Sequence, residues 1–147
     1  MNNEISTLLN KLDGSGSDSE YKAVDELRQL GNQLPALLYQ KYKQSKKWGQ
    51  RASCLYHSTR YARDVEDAVM LGVLALNDKS KAVRYRACML LAYSLNLEVL
   101  PALEQAKIST DSETLKDINA AIDAIKHQNS NYFVDRSHSG KISLNVN

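Results

Sequence analysis

The chain has 147 residues, 43% hydrophobic and 24% charged, and its nineteen basic and seventeen acidic side chains leave a net charge of +2. That length suits a single domain, 1–147, able to bury about two thirds of its unfolded surface, and the near balance of charge argues against a protein whose main business is a phosphate backbone. Two cysteines with no CxxC pair, no leader pattern in "MNNEISTLLNKLDG" and no apolar run of about eighteen residues exclude a disulfide framework, a cysteine zinc site and a membrane span, so a soluble cytoplasmic protein is expected.

With only two prolines and six glycines to break it, the chain is expected to be all-α. "EISTLLNKL" and "EYKAVDELRQL" predict a first helix pair over 1–32, joined by the flexible turn "DGSGSDS", with Asp18 or Ser19 as the cap of the second helix. From 33 to 127 a repeat takes over. "LPAL" starts at Leu34 and again at Leu100, and "DAVM" at Asp67 lies 33 residues from each, giving three helix starts at one spacing. Each start is followed by a second apolar-periodic segment: "WGQRASCLYHSTRYA", "AVRYRACMLLAYSL" and "ETLKDINAAIDAIK". A shift of 35 superposes Trp48, Ala52, Leu55, Tyr56 and Thr59 on Val83, Ala87, Leu90, Leu91 and Ser94, one face of a helix, which makes Trp48 a core anchor and puts Gly49 in the place of Arg84. After His127, "NYFVDRSHSGKISLNVN" alternates apolar and polar residues around "SHSG" and predicts a short hairpin over 128–147 packed on the last helices.

Charge is sorted in blocks. Leu27–Arg63 holds eight basic residues and no acid, whereas Glu98–Asp123 holds six acids against Lys107 and Lys116. Within the basic block, "YQKYKQSKKWGQR" interleaves five cations with two tyrosines and a tryptophan. Such a stretch can stack on bases and track phosphates, or it can be a helix end, a turn and a buried ring, and the repeat pattern favours the second reading.

"NDKSKAVRYRACMLLAYSL", with Asp78, Val83, Arg84 and Ala87, resembles the second helix of the HEAT repeat family, and "VLPALEQA" with Pro101 resembles its first helix. The likeness spans roughly 33–127 and implies a HEAT-like α–α superhelix of about four helix pairs, its second helices lining a concave groove. It implies no particular activity. The size, architecture and terminal hairpin also resemble immunity proteins of contact-dependent growth inhibition systems, which neutralise one toxin by covering its active site.

Catalytic and metal signatures are weak. His57, His127 and His138 have no helical ligand spacing, "SGK" at Ser139–Lys141 lacks the rest of a phosphate loop, and Cys54 and His57, three apart on one helix, lack a visible third group. No cofactor, no metal and no catalytic residue is therefore assigned. The positions opposite the assumed core stripe, together with one acidic position, give a protein-binding set of Arg51, His57, Tyr61, Tyr85, Arg86, Tyr93 and Asp117, rich in the residue types that dominate interfaces. The expected partner is one protein, a cognate toxin domain. A nucleic-acid binder, as some HEAT-like proteins are, and a scaffold or lyase-type subunit acting on another protein are the competing readings.

Overall fold

A computed structural model describes residues 3–135 and 142–143, and over these the chain is mostly α-helical. In chain order the helices are α1 (Asn3–Leu9), α2 (Asp18–Leu27), α3 (Leu34–Gln44), α4 (Trp48–Ser58), α5 (Glu66–Ala75), α6 (Lys81–Ser94), α7 (Leu100–Ala106) and α8 (Ser112–Lys126). Consecutive helices pair, α1 with α2 through α7 with α8, and α4, α6 and α8 pack side by side as a row of second helices with α3 against α5 behind them. Pro35 and Pro101 sit in the first turns of α3 and α7, where a missing N–H leaves no bond unmade. Side-chain caps start three others: Ser17 accepts from Glu20 N on α2, in place of the expected Asp18 or Ser19, Ser80 accepts from Val83 N on α6, and Asp111 accepts from Glu113 N and Thr114 N on α8.

The centre of the molecule is α6. Val83, Ala87, Cys88, Met89, Leu90, Leu91 and Ala92 are all buried, because this helix is covered by α4, α5 and α8 at once. On its α5 side, a Cβ placed on Gly72 would stand 2.8 Å from Leu90 Cδ2 and 2.9 Å from Leu91 Cδ2, so any larger residue would have to push these two buried leucines aside. On α8, Ile118, Ile122 and Ile125 face the same core.

The second helices are tied by a ladder of arginine–aspartate pairs. Arg51 on α4 donates from Nε to Asp78 Oδ2 (2.8 Å) and from Nη2 to Asp78 Oδ1 (3.2 Å). Arg84 on α6 donates from Nη2 to Asp111 Oδ1 (3.0 Å), and its Nη1 donates to the Asp78 carbonyl (2.7 Å), so the two rungs share a residue. Each pair is separated by 27 residues, and Arg51 and Arg84 lie 33 apart. The two rungs are therefore related by a shift of 33, not 35, and Arg51 rather than Gly49 stands where Arg84 stands. Trp48 moves with the register: it is 59% exposed and is not a core anchor. The residues α4 buries are Arg51, Ser53, Cys54, Leu55, His57 and Ser58, a stripe too polar to be recognised by hydrophobicity.

Beyond α8, Phe133 is fully buried with its ring 5.7 Å from that of Tyr85. Val134–Asp135 and Ile142–Ser143 run antiparallel, Val134 opposite Ser143 and Asp135 opposite Ile142. The expected turn at "SHSG" and the end of the tail lie outside the described residues.

Candidate functional site

Because α4, α6 and α8 lie side by side, all three line one groove, Trp48 and Ala52 of α4 at the positions that Lys81 and Tyr85 occupy on α6. Trp48, Ala52 and Tyr56 on α4, Lys81, Tyr85 and Arg86 on α6, and Glu113 and Asp117 on α8 enclose about 710 Å³, with Tyr21 of α2 and the backbone of Gly14 and Gly16 forming the near wall. Trp48, Ala52 and Tyr56 follow an i, i+4, i+8 stripe, which points away from the buried face of α4. The wall is aromatic and partly wet: Tyr21 is 41% exposed and Tyr56 42%. The Arg86 guanidinium lies 5.0 Å from the Tyr56 ring centre and 5.3 Å from that of Tyr85, a cation set between two ring faces.

The floor is a buried polar cluster. Glu20 of α2, 2% exposed, accepts from Ser53 Oγ and lies 3.1 Å from His57 Nε2 through the same Oε2 atom, while its Oε1 accepts from Gly16 N at 2.8 Å. Tyr21 and Tyr56 meet His57 edge-on, at 5.7 and 5.1 Å between ring centres. Burial pulls the imidazole below its ordinary pKa against the Glu20 carboxylate, which favours the charged form. The Ser53 hydroxyl bonds the carboxylate and not the imidazole, so the three groups do not form the serine–histidine–acid order of a nucleophilic triad. Cys54 is fully buried, and burial pushes its thiol up to about 12, so no thiolate is supplied beside His57. What the cluster does is fasten α2 to α4 and set the two tyrosines that flank it.

A second cavity of about 550 Å³ adjoins the groove at Trp48, lined also by Asp13, Lys46, Lys47, Gly49, Arg51, Lys79 and Ser80. The rung beneath it holds its shape. Arg51 Nη1 donates to the Lys46 carbonyl (2.9 Å) while its other nitrogens hold Asp78, so one guanidinium clamps the turn before α4 to the turn before α6.

Of the seven residues expected to bind a partner, His57, Tyr85, Arg86 and Asp117 line the groove. Arg51 is spent on the ladder and lines the second cavity instead. Tyr61 and Tyr93 lie outside both cavities: Tyr61 packs on the core, and Tyr93 carries the Arg63 guanidinium 4.0 Å over its ring while its carbonyl accepts Arg63 Nε. Sequence reasoning missed Tyr21, Trp48 and Tyr56. The signal was the α4 stripe itself, legible once Ala52 is aligned with Tyr85 at a shift of 33.

Among the described residues no group of three histidines, cysteines or acids is placed to hold a metal, and no helix is long and apolar enough to cross a membrane. No protein-family model matches the chain, and no curated protein matches its sequence.

Proposed function

We propose that this chain is a non-enzymatic protein-binding module, a HEAT-like α–α superhelix whose second helices line the binding groove and whose C-terminal hairpin closes the last pair. The observation that supports it is the groove's composition. Tyr21, Trp48, Tyr56 and Tyr85 with Arg86 are the residue types that carry most interface energy, and large rings left part-exposed in a concave surface mark a site that a partner covers. The floor beneath them is rigid and fully hydrogen-bonded at Glu20, so the rings are held ready at low entropic cost.

The partner we assign is a cognate toxin domain in the bacterial cytoplasm, bound one to one with its active site covered, as in the immunity proteins the chain resembles. The test is co-expression with the toxin domain encoded beside this gene. Cells should survive, the complex should be stoichiometric, and Tyr56→Ala or Tyr85→Ala should weaken it by about 2 kcal/mol or more with the fold intact. Equal killing with and without this chain would remove the immunity assignment.

Nucleic acid is the second reading, favoured by the exposure of Trp48 beside Lys46, Lys47 and Lys79. Against it, the surface leading away from Trp48 passes Glu113 and Asp117, which a phosphate backbone would meet with like charge.

A further inference from the structure

We propose that the cavity around Trp48 is a docking site for an acidic segment of a partner protein, one in which carboxylates flank an apolar side chain. This deepens the binding-module reading and rests on it.

Lys46, Lys47 and Lys79 are exposed and ring Trp48, with exposed Lys81 at the boundary with the groove. Among the described residues none of the first three makes an ion pair, and Lys81 has only a loose one, 3.8 Å to Asp111. The acids that could neutralise them are engaged elsewhere. Asp78 is taken by Arg51, Tyr42 and Ser80 N, and Asp13 by the backbone N–H and hydroxyl of Ser15. The like charges are also not brought together by chance of sequence, since Lys46–Lys47 and Lys79 are more than thirty residues apart. The Arg51 clamp, holding both turns, keeps them adjacent. A fold that gathers unneutralised cations around a 59% exposed indole breaks the ordinary surface rule at one place, which is the mark of a site.

Charge selects the occupant. Carboxylates complement the lysines, and an apolar side chain between them covers the indole face. A continuous polyanion is disfavoured because the path onward carries Glu20, Glu113 and Asp117 against Lys81 and Arg86. A protein segment suits both, since its acidity can end where the groove turns acidic.

Trp48 is the chain's single tryptophan, so its emission reports this site alone. The probe is a blocked pentapeptide with four glutamates around a central leucine, titrated into the full chain. We expect a saturable change in Trp48 emission that weakens with salt, a loss of affinity of about tenfold or more in Lys47→Glu/Lys79→Glu, and retention in Lys47→Arg/Lys79→Arg, with circular dichroism and urea midpoint showing the variants folded. No saturable response, or equal affinity in the charge-reversed variant, overturns the proposal. An oligothymidylate that binds as tightly as the peptide overturns it in favour of nucleic acid. A cognate partner whose binding is lost in Tyr56→Ala but indifferent to charge reversal overturns this inference and leaves the groove reading standing. Peptide binding without any toxin-domain complex removes the toxin assignment and leaves this inference standing.

Discussion

Removing Asp78 should be the most damaging single change in the ladder. Its carboxylate accepts both Arg51 nitrogens, the Tyr42 hydroxyl at 2.6 Å and Ser80 N at 2.9 Å, and the paired side chains are only 9% (Arg51) and 4% (Asp78) exposed. Asp78→Ala leaves a guanidinium without its counter-charge and a buried phenol without an acceptor, which together cost about 3–5 kcal/mol. At a urea slope of about 2 kcal/mol per M this lowers the unfolding midpoint by roughly 1.5–2.5 M. Asp111→Ala is the internal control. Arg84 is more exposed, and without Asp111 it keeps Thr114 Oγ1 at 3.1 Å and the Asp78 carbonyl, and the lost α8 cap adds only about 1 kcal/mol, so the midpoint should fall less. Replacing the cluster as a unit, with Arg51→Met, Asp78→Leu and Tyr42→Phe, should recover most of the loss, because no charge or hydroxyl is then stranded. Equal midpoint shifts for Asp78→Ala and Asp111→Ala, or a triple variant no better than the single one, would refute the reasoning.

Acid should unfold the protein in two stages. His57 is held below its ordinary pKa by burial, so its contribution is complete above about pH 6.5, the unfolded value, and is lost as the pH falls from there toward the folded one; urea midpoints from pH 8 to 5 should show a slope that His57→Gln flattens. Burial would raise Asp78, but hydrogen bonds from Arg51 and Tyr42 outweigh it and hold the carboxyl low, so its contribution is present above about pH 4 and lost below; Asp78→Asn should remove that second phase from an acid titration. Trp48→Ala should change the urea midpoint little, since the ring is largely in water, and a loss on the scale of a buried aromatic, about 3–5 kcal/mol, would contradict its placement. Gly49→Ala puts a Cβ 2.7 Å from the Asp13 carbonyl oxygen, so the loop beside Tyr21 must move; partner or peptide binding should weaken even where the helix content by circular dichroism is kept.

Helix order and most helix starts were legible because proline, caps and apolar spacing act locally: Leu34 and Leu100 begin α3 and α7, and α5 begins at Glu66, one residue before the expected Asp67. The face of α4 was not legible. Of its expected stripe Leu55 and Thr59 are buried, but Trp48, Ala52 and Tyr56 line the groove, and the rest of its buried face is largely polar because partners at distances of 27 to 37 residues satisfy it: Asp78 for Arg51, Glu20 for Ser53 and His57. Hydrophobicity along one helix cannot report a hydrogen bond made by another. Arg86 and Tyr85 were identified from their place opposite and beside the α6 stripe and Asp117 only as an acidic position, while Met89 and Ala92, on the same expected face of α6, are buried because that helix is covered on three sides. The same inversion explains why the tryptophan was placed in the core while its flanking lysines were placed in a turn, where Ser45–Lys47 do lie.

The ladder also imposes an order in time. Each arginine precedes its aspartate by 27 residues, so during synthesis Arg51 leaves the ribosome before Asp78 exists to receive it, and Arg84 waits in turn for Asp111. At about 5–20 residues per second the wait is roughly 1–5 s. Through that interval α4 has a charge it cannot bury, and its packing onto α3 is provisional. A nascent chain halted before Asp78 would therefore hold the first two pairs loosely, and folding would advance only as each acid emerges, the growing end locking the helix made one unit earlier.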